Sequence, residues 1–164
     1  MLSLSKTTGY AIQALSCLES DACHSHNITD VAKCAGVPRS YLSKIINSLS
    51  QHGLVTTKRG YLGGISLARD PADTSLLEIV EAVEGKAWLG ECLLGMDECE
   101  IKVNCVTHTF WSHIRREITE KLRTTSLASL IRFKDGRAAR KSGDPSNRGE
   151  EAVCNSVNPN GVAT

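Results

Sequence analysis

Three cysteines and a histidine lie close together in the middle of this 164-residue sequence: Cys92, Cys99, Cys105 and His108. Their spacing is C-x6-C-x5-C-x2-H. The other four of the seven cysteines, Cys17, Cys23, Cys34 and Cys154, are scattered. An odd number does not fit a closed disulfide framework. The opening Met1-Leu2-Ser3-Leu4-Ser5-Lys6 lacks the basic region and apolar stretch of a secretory signal. The expectation is therefore a cytoplasmic, reducing compartment, where grouped cysteines are metal ligands or redox sensors.

Thiolates select soft metals and iron–sulfur clusters, and mixed Cys/His ligation of a 2Fe–2S centre raises its potential over all-Cys ligation. If Cys105 lies near the start of a long helix, His108 one turn on shares its face, and both reach one centre. Zinc in a Cys₃His site is electrostatically reasonable, but zinc sites usually contain short C-x2–4-C steps, and the cluster has none. Metal-free thiols that sense oxidants, or inert buried cysteines, are the other readings. Glu91, Asp97, Glu98 and Glu100 crowd the loop and read as a solvated rim, with a ligand in place of His108 as the alternative. Trp88 either shields a centre or packs a dimer. Cys23-His24-Ser25-His26 reads as a surface connection, His113 as a surface residue, and Cys154 as a free thiol in the tail. Cys17 and Cys34 fall at packed helical positions.

Apolar periodicity supplies the elements that must position these groups. Tyr10, Ala11, Ala14, Leu15 and Leu18 mark a first helix over about Leu4 to Ser20. Thr29 reads as the N-cap of a short second helix that stops at Gly36. Pro38 suits the first turn of a third, whose Leu42, Ile45, Ile46 and Leu49 repeat at i, i+3, i+4, i+7 until Gly53. Two alternating runs, Leu54–Lys58 and Gly64–Leu67, flank the turn-rich Arg59-Gly60-Tyr61-Leu62-Gly63 and read as a hairpin. Thr74 reads as the cap of a fourth helix, Leu76 to Val83. Residues 86–105 have no period. Trp111, Ile114, Ile118 and Leu122 line a long helix, with Phe110 beside them, and Ser126 to Phe133 reads as a last short one. The rest is poor in large apolar residues, which predicts a disordered tail over 134–164. The domains expected are a winged helix-turn-helix over 1–70, a cluster loop and dimerisation helices over 71–133, and that tail. The fold class is mainly α with a small β-hairpin wing.

Helix, short helix, tight turn, helix and hairpin is the order of a DNA-reading winged helix-turn-helix. With the apolar stripe of the third helix facing inward, Ser40, Ser43, Lys44, Asn47 and Gln51 point outward. That face carries no carboxylate to repel phosphate. Arg39, Ser40, Tyr41, Ser43 and Lys44 are the candidates for base and phosphate contact, and Arg39 suits bidentate pairing with guanine. On the wing, Lys58, Arg59 and Tyr61 are candidates, and an Arg on a narrow Gly-rich loop suits a minor groove.

Several stretches resemble the Rrf-two family of bacterial regulators. They are Leu4-Ser5-Lys6 with Tyr10-Ala11, and Gly36-Val37-Pro38-Arg39-Ser40-Tyr41-Leu42. Gly53-Leu54-Val55, Arg59-Gly60, Gly63-Gly64 and Leu67 resemble its wing, and Leu76 to Val83 with Glu84-Gly85 resembles the helix before its cluster loop. The resemblance spans about residues 1–133. It implies a homodimeric transcription factor on double-stranded, palindromic DNA, with a cross-subunit helix that agrees with the Trp111–Leu122 stripe. Cluster-binding members carry a three-Cys loop, and in IscR-like ones a His follows the third Cys at this offset. Other members use a carboxylate near the N-terminus, where this chain has Gly9 or Thr8, neither a ligand. The resemblance therefore favours His108 as fourth ligand of a 2Fe–2S cluster. A 4Fe–4S cluster with a small-molecule ligand stays open. The functional reading is a regulator, as a repressor, that senses cluster, iron, redox or nitric oxide status. The alternative is a regulator of the same fold that binds zinc or nothing and answers to a metabolite or thiol oxidation.

Charge agrees with a DNA-facing front. Residues 1–70 hold seven Lys+Arg against four Asp+Glu, and residues 71–133 hold seven against ten. No apolar run is long enough to span a membrane. No G-x-G-x-x-G after a strand, P-loop, H-E-x-x-H or G-x-S-x-G occurs, so no enzyme is expected.

Overall fold

The structure, a computed structural model, describes residues 4–19, 26–58, 60, 63–90, 92–95 and 105–141, with the backbone alone for 136–141. Cys23, His24, Arg59, Tyr61, Glu91, Asp97, Glu98, Cys99, Glu100 and Cys154 lie outside the described residues, as does the tail from residue 142. The chain divides into two compact units, Met1–Arg132 and Phe133–Thr164.

The first unit is built from α1 (Lys6–Leu18), α2 (Ile28–Ala35), α3 (Arg39–Gln51), β1 (Val55–Lys58), β2 (Gly64–Leu67), α4 (Leu76–Glu84) and α5 (His108–Thr124). It also holds the start of α6 (Leu127–Lys141). Leu15 of α1, Leu42 and Leu49 of α3, Ile79 of α4 and Leu127 of α6 are fully buried in one core, to which the hairpin region adds the buried Leu54 and Ile65.

Local chemistry sets the boundaries. Asn27, not Thr29, caps α2: its side chain accepts from the amides of Thr29 at 3.0 Å and Asp30 at 2.9 Å. Asn27 also donates to Asp30, so the cap is fixed from both sides. Gly36 closes α2 in the left-handed region at φ 64°, which permits the tight turn into α3. Pro38 stands just before α3, at its N-cap position. Ser75, not Thr74, caps α4, in a capping box with Glu78. Thr74 is instead buried and ends the single 3₁₀ turn Pro71–Asp73.

The hairpin is antiparallel, Val55 opposite Leu67 and Lys58 opposite Gly64. It is fastened to the entry of α2 by the Ile65 amide, which donates to the His26 carbonyl at 2.8 Å. Any β-carbon at Gly64 would stand 3.1 Å from that carbonyl oxygen, so only glycine lets the two backbones meet without displacement. The α5–α6 corner is tied to the start of α4 by Leu76 N–H to Thr125 and Leu127 N–H to Thr74. The last helix runs to Lys141, well past Phe133, so the expected tail begins with helix rather than disorder.

The end of α4 is clamped to the start of α1. Glu84 accepts from the Ser5 amide at 3.1 Å and from the Thr8 hydroxyl. Burial pulls the Glu84 carboxyl upward, but the hydrogen bonds from Thr8 and Ser5 outweigh it and hold the group below its ordinary 4.5. A depressed folded-state value means that the clamp contributes fully above pH 4.5 and is lost as pH falls through the lowered value. Glu84→Gln should therefore flatten the acid limb of the melting temperature below that pH. An acid limb identical to wild type would remove the clamp from the account.

Candidate nucleic-acid interface and cluster loop

The outer face of α3 is as the periodicity requires. Arg39, Ser40, Ser43, Lys44, Asn47 and Gln51 are exposed, while Leu42, Ile45, Ile46 and Leu49 are buried. The face is polar or positive throughout. The Ser43 hydroxyl already donates to the Arg39 carbonyl at 3.0 Å. Tyr41 is exposed but leans toward α1. Its hydroxyl lies 3.3 Å from Thr7 Oγ1, and its ring meets Tyr10 edge-on at 5.9 Å. Lys58 is exposed at the end of β1, at the foot of the wing tip.

The cysteine loop is anchored to α5 at both described ends. At the entry, the Gly90 carbonyl accepts from Trp111 Nε1 at 3.4 Å and Arg115 Nη1 at 3.2 Å. Trp111 is buried, and Cys92 follows two residues after Gly90. At the exit, the His108 amide donates to the Cys105 carbonyl at 3.1 Å. Because α5 starts at His108, Cys105 lies in the turn before it. The expectation that the pair shares a helix face is thus corrected: a turn, not a helix face, sets their spacing.

The Cys105 sulfur lies 3.3 Å from the Thr107 hydroxyl. That hydroxyl, together with the Thr107 and His108 amides, holds the thiol below its usual 9.0 against a small opposing effect of burial. This favours the thiolate, the form that ligates metal. Cys92 and Cys105 are free, half-exposed thiols. Among the described residues no three His, Cys, Asp or Glu side chains gather closely enough to hold a metal ion. A backbone turn thus links Cys105 to His108, and Cys92 lies two residues beyond the Gly90 anchor. The donor set itself, soft thiolates with an imidazole, fits an iron–sulfur cluster, which would supply a redox- and ligand-sensitive centre. Near the N-terminus, Thr8 is buried with its hydroxyl bonded to Glu84, and Gly9 has no side chain, so neither supplies a ligand. Of the scattered cysteines, Cys17 packs against the core as expected, but Cys34 is exposed. His113 is exposed and lies within hydrogen-bond distance of Arg116.

Three helices, a tight α2–α3 turn and a two-stranded wing define a winged helix-turn-helix transcriptional regulator. The comparisons narrow this class. The model of the Rrf2 family, described as iron-dependent transcriptional regulators, matches residues 4–132, and the chain belongs to that family. It is 31% identical over 134 residues to an Aquifex aeolicus protein provisionally designated an HTH-type transcriptional regulator, covering 80% of this chain and 92% of that one. It is 28% identical over 138 residues to the HTH-type transcriptional regulator IscR of Photorhabdus laumondii, covering 80% and 84%. Among solved structures, T. potens IscR matches with a TM-score of 0.63 at 28% identity, over 85% of this chain and 91% of that one. CymR, the global cysteine regulator of B. subtilis, shares the fold at a TM-score of 0.65 and 21% identity, over 81% and 98%. Among the described residues no helix is long and apolar enough to cross a membrane.

Proposed function

We propose that this chain is a cytoplasmic, homodimeric repressor that binds palindromic double-stranded DNA and reports cluster, iron or redox status. Arg39, Ser40, Tyr41, Ser43 and Lys44, with Lys58 and Arg59 of the wing, contact the duplex. Half-sites lie about one helical turn apart, roughly 34 Å. Cys92, Cys99, Cys105 and His108 hold a 2Fe–2S cluster. The observation that supports the sensing half is the backbone turn between Cys105, whose thiolate is favoured, and His108, in a loop whose entry is bonded to α5. An apolar surface left at the start of α5, with Val106 and Phe110 exposed, supports a second copy of the chain there.

Cluster binding at the loop shifts how two winged domains sit, and a bias of about 1.4 kcal/mol between two such states suffices for a tenfold change in DNA affinity. Protein purified without oxygen should be brown, with iron and acid-labile sulfide in equal amounts. Paired holo and apo samples at one fixed salt concentration should differ in DNA affinity about tenfold or more. Colourless protein carrying zinc, or bare thiols, would replace this reading with the cluster-free regulator. Equal holo and apo affinities would make the cluster structural.

A further inference from the structure

A cleft of about 310 Å³ opens between α1, α3 and α4, lined by Thr7, Tyr41, Lys44, Ile45, Ser48 and Val83. Its polar side brings together two hydroxyls and an ammonium: Thr7 and Tyr41, 3.3 Å apart, beside the exposed Lys44. Ser48 is committed elsewhere, since its hydroxyl donates to the Ala82 carbonyl at 2.5 Å. Ile45 and Val83 supply an apolar floor, and none of the six lining residues carries a negative charge. The Tyr41 ring is held edge-on against Tyr10, which fixes where its hydroxyl points.

One of the two hydroxyls donates to the other, and the second proton of the pair, with the ammonium, stands beside a small apolar surface. That suits a phosphodiester, with the anionic oxygens on the polar groups and the sugar on the floor. The cleft adjoins the outer face of α3, the face that meets DNA under the proposed function. We infer that this cleft is a backbone-phosphate site of the DNA complex, and that Thr7 of α1, a residue outside the helix-turn-helix and wing, is one of its ligands. The inference rests on the DNA-reading assignment of α3. It assigns Tyr41 and Lys44 to positioning the duplex, and leaves Arg39 and Ser40 to read it.

Phosphate contacts carry no sequence information, so their loss has a particular signature. Binding is measured against a duplex selected by the wild-type protein from a random pool, and against a scrambled duplex of the same length. Thr7→Val and Tyr41→Phe each remove one hydroxyl and keep the packing. Each should weaken both duplexes by the same factor, roughly tenfold to a hundredfold, as expected for a hydrogen bond to a charged group. Thr7→Ser should restore binding. Lys44→Ala should lower the salt slope by about one. Arg39→Ala serves as the control and should weaken the selected duplex more than the scrambled one. If Thr7→Val and Tyr41→Phe bind like wild type while Arg39→Ala is impaired, the cleft is not a phosphate site. A change in the ratio of selected to scrambled affinity in Thr7→Val would make it a base-reading position and overturn the inference too. If Arg39→Ala also binds normally, the DNA-reading assignment fails, and this inference with it.

Discussion

Cys105→Ala should emerge from anaerobic purification without iron, acid-labile sulfide or visible absorbance. The Cys105 thiol is held below its ordinary range by the Thr107 hydroxyl and the amides of Thr107 and His108, which favours the ligating thiolate form. Its loss leaves at most three donors, and an open iron site is quickly lost to water and oxygen. Cys92→Ala and Cys99→Ala should behave alike. Cys34→Ala, at an exposed position on α2, should keep the chromophore. Cys17→Ala should also keep it while losing some stability, because Cys17 packs on the core. His108→Cys should retain a cluster at a lower potential, since thiolate gives iron more charge than imidazole. His108→Ala should give a cluster that fades rapidly in air. Survival of the holo spectrum after loss of any two of Cys92, Cys99 and Cys105 would move the cluster out of this loop.

The parts of this architecture governed by periodicity were legible in the sequence. The stripes Leu42, Ile45, Ile46, Leu49 and Ala11, Ala14, Leu15, Leu18 place core faces correctly, because burial of apolar area dominates where a helix packs. The polar outer face of α3 follows as its complement. Boundaries were less legible, because neighbouring cap-forming residues compete. Asn27 and Thr29 both favour a cap, and Asn27 wins by accepting two amides at once. Ser75 wins over Thr74 because Glu78 lies three residues on and returns the bond, a signal present in the sequence as Ser75-Leu76-Leu77-Glu78. Cys34 reads as core from helical phase alone, but α2 ends one residue later and turns at Gly36, which leaves the thiol exposed. The ligand spacing singled out Cys105 and His108 as candidates but misjudged the local backbone, since α5 starts at His108 without a side-chain cap and Cys105 falls before it. Thr7 carries no sequence signal at all. Its place beside Tyr41 comes from the packing of α1 on α3.

Trp111→Ala should lower stability by about 3–5 kcal/mol, a drop of roughly 6–20 °C in melting temperature. Trp111 is 4% exposed and is the one buried residue of α5. Leu122 packs against the main core at the far end of that helix, so Trp111 is the buried anchor of its N-terminal half. The same residue also holds the loop, through its Nε1 donating to the Gly90 carbonyl. Trp111→Phe separates the two roles. It keeps much of the apolar contact and removes the N–H, so it should cost about 1 kcal/mol for the hydrogen bond, plus a smaller packing loss. Arg115 still donates to Gly90 in that variant, so the loop entry is loosened rather than freed. Hydrogen exchange at residues 88–92 should accelerate in Trp111→Phe while the amides of α3 keep wild-type protection. Trp111→Phe combined with Arg115→Ala should then shorten the lifetime of the bound cluster in air, although neither change touches a ligand. If exchange at the loop entry and cluster lifetime both stay at wild-type values in the double variant, the Gly90 anchor plays no part in holding the loop, and Trp111 is a core residue only.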